Sequence, residues 1–148
     1  MRPRIPPPII GIAFGVAMWL IARKVGVLGF PGQPLVAAVL MLCGGVIDLL
    51  SVAAFFSART TVNPLRPERA ESLVVTGFFR YSRNPMYLGM LLILTGWAVW
   101  LGQPLNLLLL VWFVLSINTL QIRPEELALE AKFGDDYRAY CARVRRWI

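Results

Sequence analysis

The longest apolar run in the chain reads QPLVAAVLMLCGGVIDLLSVAAFF, from Gln33 to Phe56. It contains one charged residue, Asp48, and it exceeds the roughly 20 helical residues that cross the hydrocarbon core of a bilayer. Three further apolar runs are Ile9–Ala22, Met86–Gly102 and Leu105–Ile122. The chain of 148 residues is 57% hydrophobic and 16% charged, whereas soluble domains are about 25% charged. These features predict a membrane protein and argue against a soluble enzyme.

The predicted fold class is all-α: a polytopic membrane protein with four transmembrane helices and a cytoplasmic C-terminal helical segment. We expect one membrane domain over residues 1–148, with polar segments at 57–85 and 123–148. The predicted spans cover residues 8–24, 33–56, 86–102 and 105–122. The first span is short, and a cleaved signal peptide is the alternative reading. Because Ala22-Arg23-Lys24 is a poor cleavage site, we predict that this span is retained.

The basic residues are distributed unevenly between the two sides of these spans. Thirteen of the 15 lysines and arginines fall in the N-terminus, the second connection or the C-terminal tail, and only Arg23 and Lys24 lie on the other side. Because cytoplasmic loops carry the excess of positive charge, both termini are predicted to be cytoplasmic. The net charge of +7 is then a topology signal that also attracts anionic membrane lipids, and no nucleic-acid partner is needed to explain it.

The chain has no histidine and only two cysteines. The absence of histidine excludes a Ser-His-Asp triad, a Cys-His pair and a histidine-ligated metal. Two cysteines give no disulfide framework. Any chemistry must therefore come from carboxylates, guanidinium groups, phenols and backbone groups, and we predict no metal site.

The first candidate site is the run Arg83-Asn84-Pro85-Met86-Tyr87-Leu88-Gly89. Asn84 is suited to the N-cap and Pro85 to the first position of the third span. A helix start with free N–H groups beside Arg83 favours an anionic ligand group, and Tyr87 lies in the first turn. The alternative is a capped membrane helix with a basic anchor and an interfacial tyrosine.

The second candidate site is the C-terminal segment that begins Arg123-Pro124-Glu125-Glu126. The two acids favour the first turn of a helix, Gly134 can end that helix, and Tyr137 and Tyr140 lie on one face of the next. Carboxylates beside arginines would suit a cationic ligand. An amphipathic helix lying on the membrane is the alternative.

Two further features are ambiguous. The stretch Thr60–Pro64 with Leu73–Gly77 is too apolar for a plain linker, and it would form a lid or pack beneath the spans. Asp48 lies within the second span, where acids are functional-site candidates by default. The favoured alternative for Asp48 is a polar contact with Asn118, Ser116 or Thr95.

Together these motifs resemble the isoprenylcysteine carboxyl methyltransferase and phospholipid methyltransferase group of integral membrane enzymes. The resemblance rests on Thr60–Pro64, Leu73–Gly77, Arg83–Gly89 and the tail, in which Arg123-Pro124-Glu125-Glu126, Phe133-Gly134, Tyr137, Tyr140 and Val144–Trp147 recur in order. It implies a methyltransferase of the kind found in small prokaryotic members, in an inner or cell membrane. The carboxyl methyltransferases usually have histidine where this chain has Asn84. The resemblance therefore implies a prenylcysteine acceptor less strongly than it implies methyl transfer.

The resemblance also implies S-adenosylmethionine as cofactor, bound on the cytosolic side. Its implied cofactor-binding residues are Thr76, Gly77, Arg83, Asn84, Pro85, Tyr87, Leu88, Glu125, Glu126, Tyr137 and Tyr140. Arg83, Arg123 and Glu126 are the implied catalytic residues. The acceptor would be lipophilic or small: a prenylcysteine-type carboxylate, a phospholipid amine or a thiol. The rival functions are a nicotinamide-dependent reductase resembling the sterol reductases and a non-catalytic membrane subunit. The sequence leaves the oligomeric state open.

Overall fold

The computed structural model describes residues 5–57 and 72–148, and this part of the chain contains helices and no strand. A 3-10 turn spans Gly77–Arg80 and a π-helical turn spans Asn118–Ile122. The helices are α1 (Pro7–Lys24), α2 (Gln33–Ser57), α3 (Pro85–Leu101), α4 (Asn106–Ile117) and α5 (Arg123–Arg143). The predicted all-α class is confirmed. The segment Thr60–Pro64 lies outside the described residues.

The helices have the length and composition of membrane spans. Helix α1, helix α2 and the continuous helix from Asn106 to Arg143 are long and apolar enough to cross a bilayer, and α3 is a shorter apolar helix of 17 residues. Leu35, Leu42 and Leu49, spaced seven residues apart along α2, are each about 70% exposed. A stripe of exposed leucines on a helix is suited to contact with lipid chains. The described part of the chain is therefore a membrane protein.

Helix α3 lies at the centre, with α1 and α2 packed against it. A Cβ atom added to Gly44 of α2 would lie 2.5 Å from the Gly89 carbonyl oxygen of α3, and one added to Gly96 of α3 would lie 2.7 Å from the Ala37 carbonyl oxygen of α2. On the other side of α3, Trp97 Nε1 donates to the Gly15 carbonyl of α1 at 3.0 Å. Small residues at these crossings let the backbones approach closely.

Replacing Gly44 by alanine is expected to destabilise the protein, because the new methyl group would overlap the backbone of α3. Overpacking costs about 1–3 kcal/mol, which corresponds to a fall in Tm of about 3–10 °C. The adjacent Gly45 is the matched control, since a Cβ atom added there would have no neighbour within 4 Å. Gly45→Ala should leave the Tm unchanged or raise it slightly, as alanine favours helix. Equal thermal shifts in detergent for the two variants would contradict the packing described here.

The C-terminal segment folds back onto the start of α3. Helix α5 continues α4 through the π turn, a continuity that the sequence did not predict. The predicted interruption at Gly134 is confirmed, because its φ of 51° and ψ of −119° are not helical. Beyond α5, Arg83 N donates to the Arg145 carbonyl at 3.0 Å, and Trp147 Nε1 donates to Asn118 Oδ1 at 3.2 Å. The tail is thereby fixed beside the beginning of α3.

Candidate functional site

A cavity of about 420 Å³ lies where α2, α3 and α5 meet, at the end of the bundle that carries the C-terminal tail. Its volume is within the roughly 300–1,000 Å³ of small-molecule sites. Its walls combine ionisable groups, tyrosines and apolar side chains. The lining residues are Pro7, Pro8, Asp48, Phe55, Ser72, Leu73, Val74, Phe79, Arg83, Asn84, Pro85, Met86, Tyr87, Met90, Glu125, Glu126, Leu129, Tyr137 and Tyr140.

Arg83 and Glu126 form an ion pair at the wall of the cavity, with Arg83 Nη1 3.3 Å from Glu126 Oε1. Both side chains are more than 80% buried. Arg146 from the tail binds the same carboxylate through two nitrogens, at 3.0 and 2.6 Å. Arg83 Nη1 also donates to Cys141 Sγ at 2.6 Å. Two guanidinium groups therefore share one carboxylate, and this cluster joins the start of α3 to α5 and to the tail.

The neighbouring acid, Glu125, has a different kind of contact. Tyr87 donates its phenolic hydrogen to Glu125 Oε1 at 2.6 Å, a short distance typical of a bond to a charged acceptor. Adjacent carboxylates in the first turn of α5 therefore have different described contacts: a phenol for Glu125 and two guanidinium groups for Glu126.

Two buried tyrosines of α5 form another wall of the cavity. Tyr137 and Tyr140 are each 4% exposed. Tyr140 donates its phenolic hydrogen to the Phe79 carbonyl at 2.7 Å, and the Phe79 ring meets the Phe55 ring of α2 edge to face. These contacts hold the segment before α3 between α2 and α5.

Asn84 lies at the N-cap position and Pro85 at the first helical position, as predicted, but the expected side-chain cap is absent. Instead, Asn84 Nδ2 donates to the Arg146 carbonyl at 2.9 Å. The side-chain amide is therefore turned toward the tail and away from the N–H groups of the helix. Asn84 therefore binds the tail through its side chain, while its carbonyl accepts the first hydrogen bonds of α3 from the Tyr87 and Leu88 N–H groups.

The expected contact of Asp48 with Asn118, Ser116 or Thr95 is wrong. Thr95 Oγ1 donates to the Leu91 carbonyl within its own helix, and Asn118 accepts from Trp147. Asp48 instead lines the cavity, and its Oδ1 is buried without a hydrogen-bond partner among the described residues. The alternative failed because the sequence does not show which face of α2 meets α3.

Eight of the twelve site residues named from the sequence line the cavity, and four do not. The lining residues among them are Arg83, Asn84, Pro85, Tyr87, Glu125, Glu126, Tyr137 and Tyr140. Thr76, Gly77 and Arg123 are exposed and lie outside the lining, as does Leu88. Leu88 follows Tyr87 directly, so it projects from α3 about 100° away.

Several contributors to the site have no signal in the sequence. Arg146 belongs to the basic tail and Cys141 is one of only two cysteines, yet both bind the ion-pair cluster. A basic residue 20 positions after Glu126 carries no local signal for such a contact. The apolar walls formed by Phe55, Met90 and Leu129 also lacked a signal, because apolar residues at helical spacing have the same pattern wherever they pack.

A second depression, of about 500 Å³, lies at the opposite end of the bundle. It is lined by Gly29, Phe30, Pro31, Gln33, Pro34 and Trp100. None of these residues is ionisable, and the Gln33 side-chain amide is the main polar side-chain group in the depression. Gln33 Nε2 already donates to the Val99 carbonyl at 2.7 Å. The candidate site is therefore the cavity beside the tail.

Comparison with known proteins identifies the family of the chain. The model of the phospholipid methyltransferase family matches residues 33–136, from the start of α2 to the kink in α5. The chain belongs to that family. The match covers well over half of the chain, and it includes the cavity-lining residues of α2, α3 and the beginning of α5.

Individual relatives differ in their sequence identity to this member of the phospholipid methyltransferase family and in the length of the match. An uncharacterized protein of Haemophilus influenzae is 54% identical over 63 residues, which is 43% of this chain and all of that protein. Two proteins of Oryza sativa, from subspecies indica and japonica, are named probable protein-S-isoprenylcysteine O-methyltransferase. Each is 29% identical over 109 residues, 74% of this chain, and the match spans 57% of the rice protein. No solved structure matches the chain. These findings make the chain a membrane protein of the methyltransferase type.

Proposed function

We propose that the chain is an S-adenosylmethionine-dependent methyltransferase that binds its cofactor in the cavity beside the tail. Its acceptor would be a lipophilic or small molecule, and the cavity would face the cytoplasm. One observation carries the proposal: a cavity of ligand size lies at the end of membrane helices, with Arg83, Glu125 and Glu126 on its wall. A polar cofactor reaches such a site from water, and a lipophilic acceptor reaches it from the bilayer.

The residues of the cavity fit the groups of this cofactor. Arg83 Nε is buried and has no hydrogen-bond partner among the described residues, so Arg83 retains a donor for the methionine carboxylate, which guanidinium groups bind well. The carboxylates of Glu125 and Glu126 suit ribose hydroxyls or the amino group. Tyr137 and Tyr140 line the same space, and aromatic rings suit a sulfonium cation or a flat ring.

Methyl transfer needs few groups from the protein. The bound cofactor supplies a methyl group that its sulfonium centre has already activated. The chain must therefore hold the two reactants in line and exclude water, which are contributions of geometry rather than of a catalytic base. Arg83 and the acids orient the polar groups, and the apolar walls formed by Phe55, Met90 and Leu129 keep water away from the transfer path.

Transfer of a labelled methyl group tests this function. Proteoliposomes made with total lipid extract from the expression host would be incubated with S-adenosylmethionine labelled in its methyl group. We expect label to pass into the organic-soluble fraction, and Glu126→Gln to reduce the rate about tenfold or more through loss of a charged contact. The matched control is Glu130→Gln, an acid of α5 outside the lining whose side chain is 46% exposed.

Equal label transfer by protein-free liposomes, or equal rates for the Glu126 and Glu130 variants, would contradict the proposal. In the first case the label would not depend on the protein. In the second, the cavity would not be the site of the reaction.

A further inference from the structure

Glu126 has a partner that lies outside the cavity. The Glu126 carboxylate belongs to the cavity lining, whereas Arg146, in the tail after α5, does not. Arg146 Nε donates to Glu126 Oε1 at 3.0 Å, and Arg146 Nη2 donates to Glu126 Oε2 at 2.6 Å. Each nitrogen thus binds a different oxygen, and this two-point geometry fixes the position and the plane of the carboxylate.

The contact that Glu126 receives from the cavity wall is longer. Arg83 Nη1 lies 3.3 Å from Glu126 Oε1, and the same nitrogen donates to Cys141 Sγ at 2.6 Å. Among the described contacts, Arg83 therefore approaches one oxygen of the carboxylate, at a greater distance than either bond from the tail. The closer, two-point contact comes from Arg146.

The backbone of the tail holds the Arg146 side chain beside this carboxylate. The Arg146 carbonyl accepts from Asn84 Nδ2 at 2.9 Å, and the Arg145 carbonyl accepts from Arg83 N at 3.0 Å. Trp147, the next residue, packs against the apolar core. The backbone on both sides of the Arg146 side chain is therefore fixed by contacts that its guanidinium does not make.

The burial of Glu126 makes its compensation necessary. Its side chain is 18% exposed, and that of Arg146 is 37% exposed. A mostly buried carboxylate needs a cation and hydrogen-bond donors to offset its lost hydration. Because Arg146 meets this need from outside the cavity, Arg83 keeps its buried Nε, which has no hydrogen-bond partner among the described residues, for a ligand.

We propose that Arg146 is a positioning residue for the cofactor site: its two-point contact fixes the Glu126 carboxylate and leaves Arg83 available to the ligand. The inference rests on the proposed methyltransferase function, because it assigns a role at the same site to a residue that touches neither reactant. Arg146 acts through Glu126 and makes no contact with the cofactor. The C-terminal tail is then a part of the cofactor site.

Calorimetric titration of the full chain with S-adenosylhomocysteine tests this role. Arg146→Met removes the charge and both hydrogen bonds, and we expect it to weaken binding about tenfold or more. Arg146→Lys keeps the ion pair that tethers the tail, but an ammonium group cannot bind two carboxylate oxygens as a planar guanidinium does. We therefore expect Arg146→Lys to bind about threefold or more weakly than the wild type.

Arg145→Met is the matched control, because Arg145 is adjacent, exposed and outside the lining. It removes the same charge from the tail and should change the affinity less than about twofold, as surface substitutions usually do. A double-variant cycle then tests whether Arg146 acts through Glu126. Adding Arg146→Met to Glu126→Gln should weaken binding by a smaller factor than Arg146→Met does in the wild type.

The label-transfer assay separates positioning from a loss of folded protein. An unfolded fraction lowers kcat and leaves KM unchanged, whereas the loss of a contact that binds the cofactor before reaction raises KM. We expect Arg146→Met to raise the KM for S-adenosylmethionine by the factor by which it weakens S-adenosylhomocysteine binding, with little change in kcat.

The outcomes separate this inference from the proposed function. Full affinity in Arg146→Lys would overturn the positioning role, because a tether for the tail would then be sufficient. Independent effects of the Arg146 and Glu126 substitutions, or an equal loss of affinity in Arg145→Met, would overturn it as well. Failure of the wild type to bind S-adenosylhomocysteine would instead overturn the proposed function, whatever the variants show.

Discussion

Replacing Arg83 by alanine is expected to lower kcat/KM for S-adenosylmethionine by about 100-fold or more. Arg83 is the one guanidinium among the lining residues of the described cavity, and only 16% of its side chain is exposed. Removing one partner of a buried charge pair costs about 3–5 kcal/mol, and each 1.36 kcal/mol corresponds to about tenfold in rate. Without Arg83, the methionine carboxylate of the bound cofactor would lose binding free energy of this size.

The fold should tolerate this substitution, because Glu126 keeps Arg146 as its partner through two hydrogen bonds. Arg80 is the matched control: it lies three residues earlier, and it is exposed and outside the lining. Arg80→Ala should change kcat/KM less than about twofold, as surface substitutions usually do. If both variants retained full activity, Arg83 would not contact the cofactor.

Replacing Glu126 by alanine is expected to lower the free energy of unfolding by about 2–4 kcal/mol. This is somewhat less than the loss expected on breaking a fully buried ion pair, because the Arg146 side chain is 37% exposed. The carboxylate holds Arg83 and Arg146 together, and without it two positive groups would face each other. The backbone contact between Arg83 and Arg145 would then open more often. Thermal unfolding in detergent measures the loss of stability.

Cysteine labelling reports the same event locally. Cys141 accepts a hydrogen bond from Arg83 and is partly buried, so release of the tail should speed its reaction with a charged maleimide several-fold. Cys43 lies in α2 within the apolar span, where such a reagent does not enter. Glu130→Ala is the control, because its partner Arg138 is 59% exposed and such surface pairs contribute about 0–1 kcal/mol. Unchanged labelling and Tm in Glu126→Ala would show that the cluster does not hold the tail.

The fold was largely predictable because its determinants are local. A run of apolar residues long enough to cross a bilayer gives a helix wherever it packs, and the helix α2 predicted for residues 33–56 ends one residue later, at Ser57. Pro85 and Gly134 marked a helix start and a helix break through their own backbone preferences. The helices α1, α2 and α3 therefore follow from composition and turn residues, without knowledge of how they pack.

The site was predictable only in part, because it depends on contacts between distant segments. Arg83 and Cys141 are 58 positions apart, and Asn84 and the Arg146 carbonyl are 62 apart. No periodicity encodes such pairs. The resemblance to known methyltransferases named Glu126 and Arg83, but the partner Arg146 and the orientation of Asp48 became visible only once α2, α3 and the tail were packed together.

Calorimetric titration of the purified wild-type protein with S-adenosylhomocysteine measures whether the cavity beside the tail binds the cofactor. We expect saturable binding near one molecule per chain, weakened about 100-fold or more by Arg83→Ala and unaffected by Arg80→Ala. Reduced nicotinamide dinucleotide should not bind. Absence of S-adenosylhomocysteine binding by folded, monodisperse protein, or binding that Arg83→Ala leaves unchanged, would show that this cavity does not bind the cofactor.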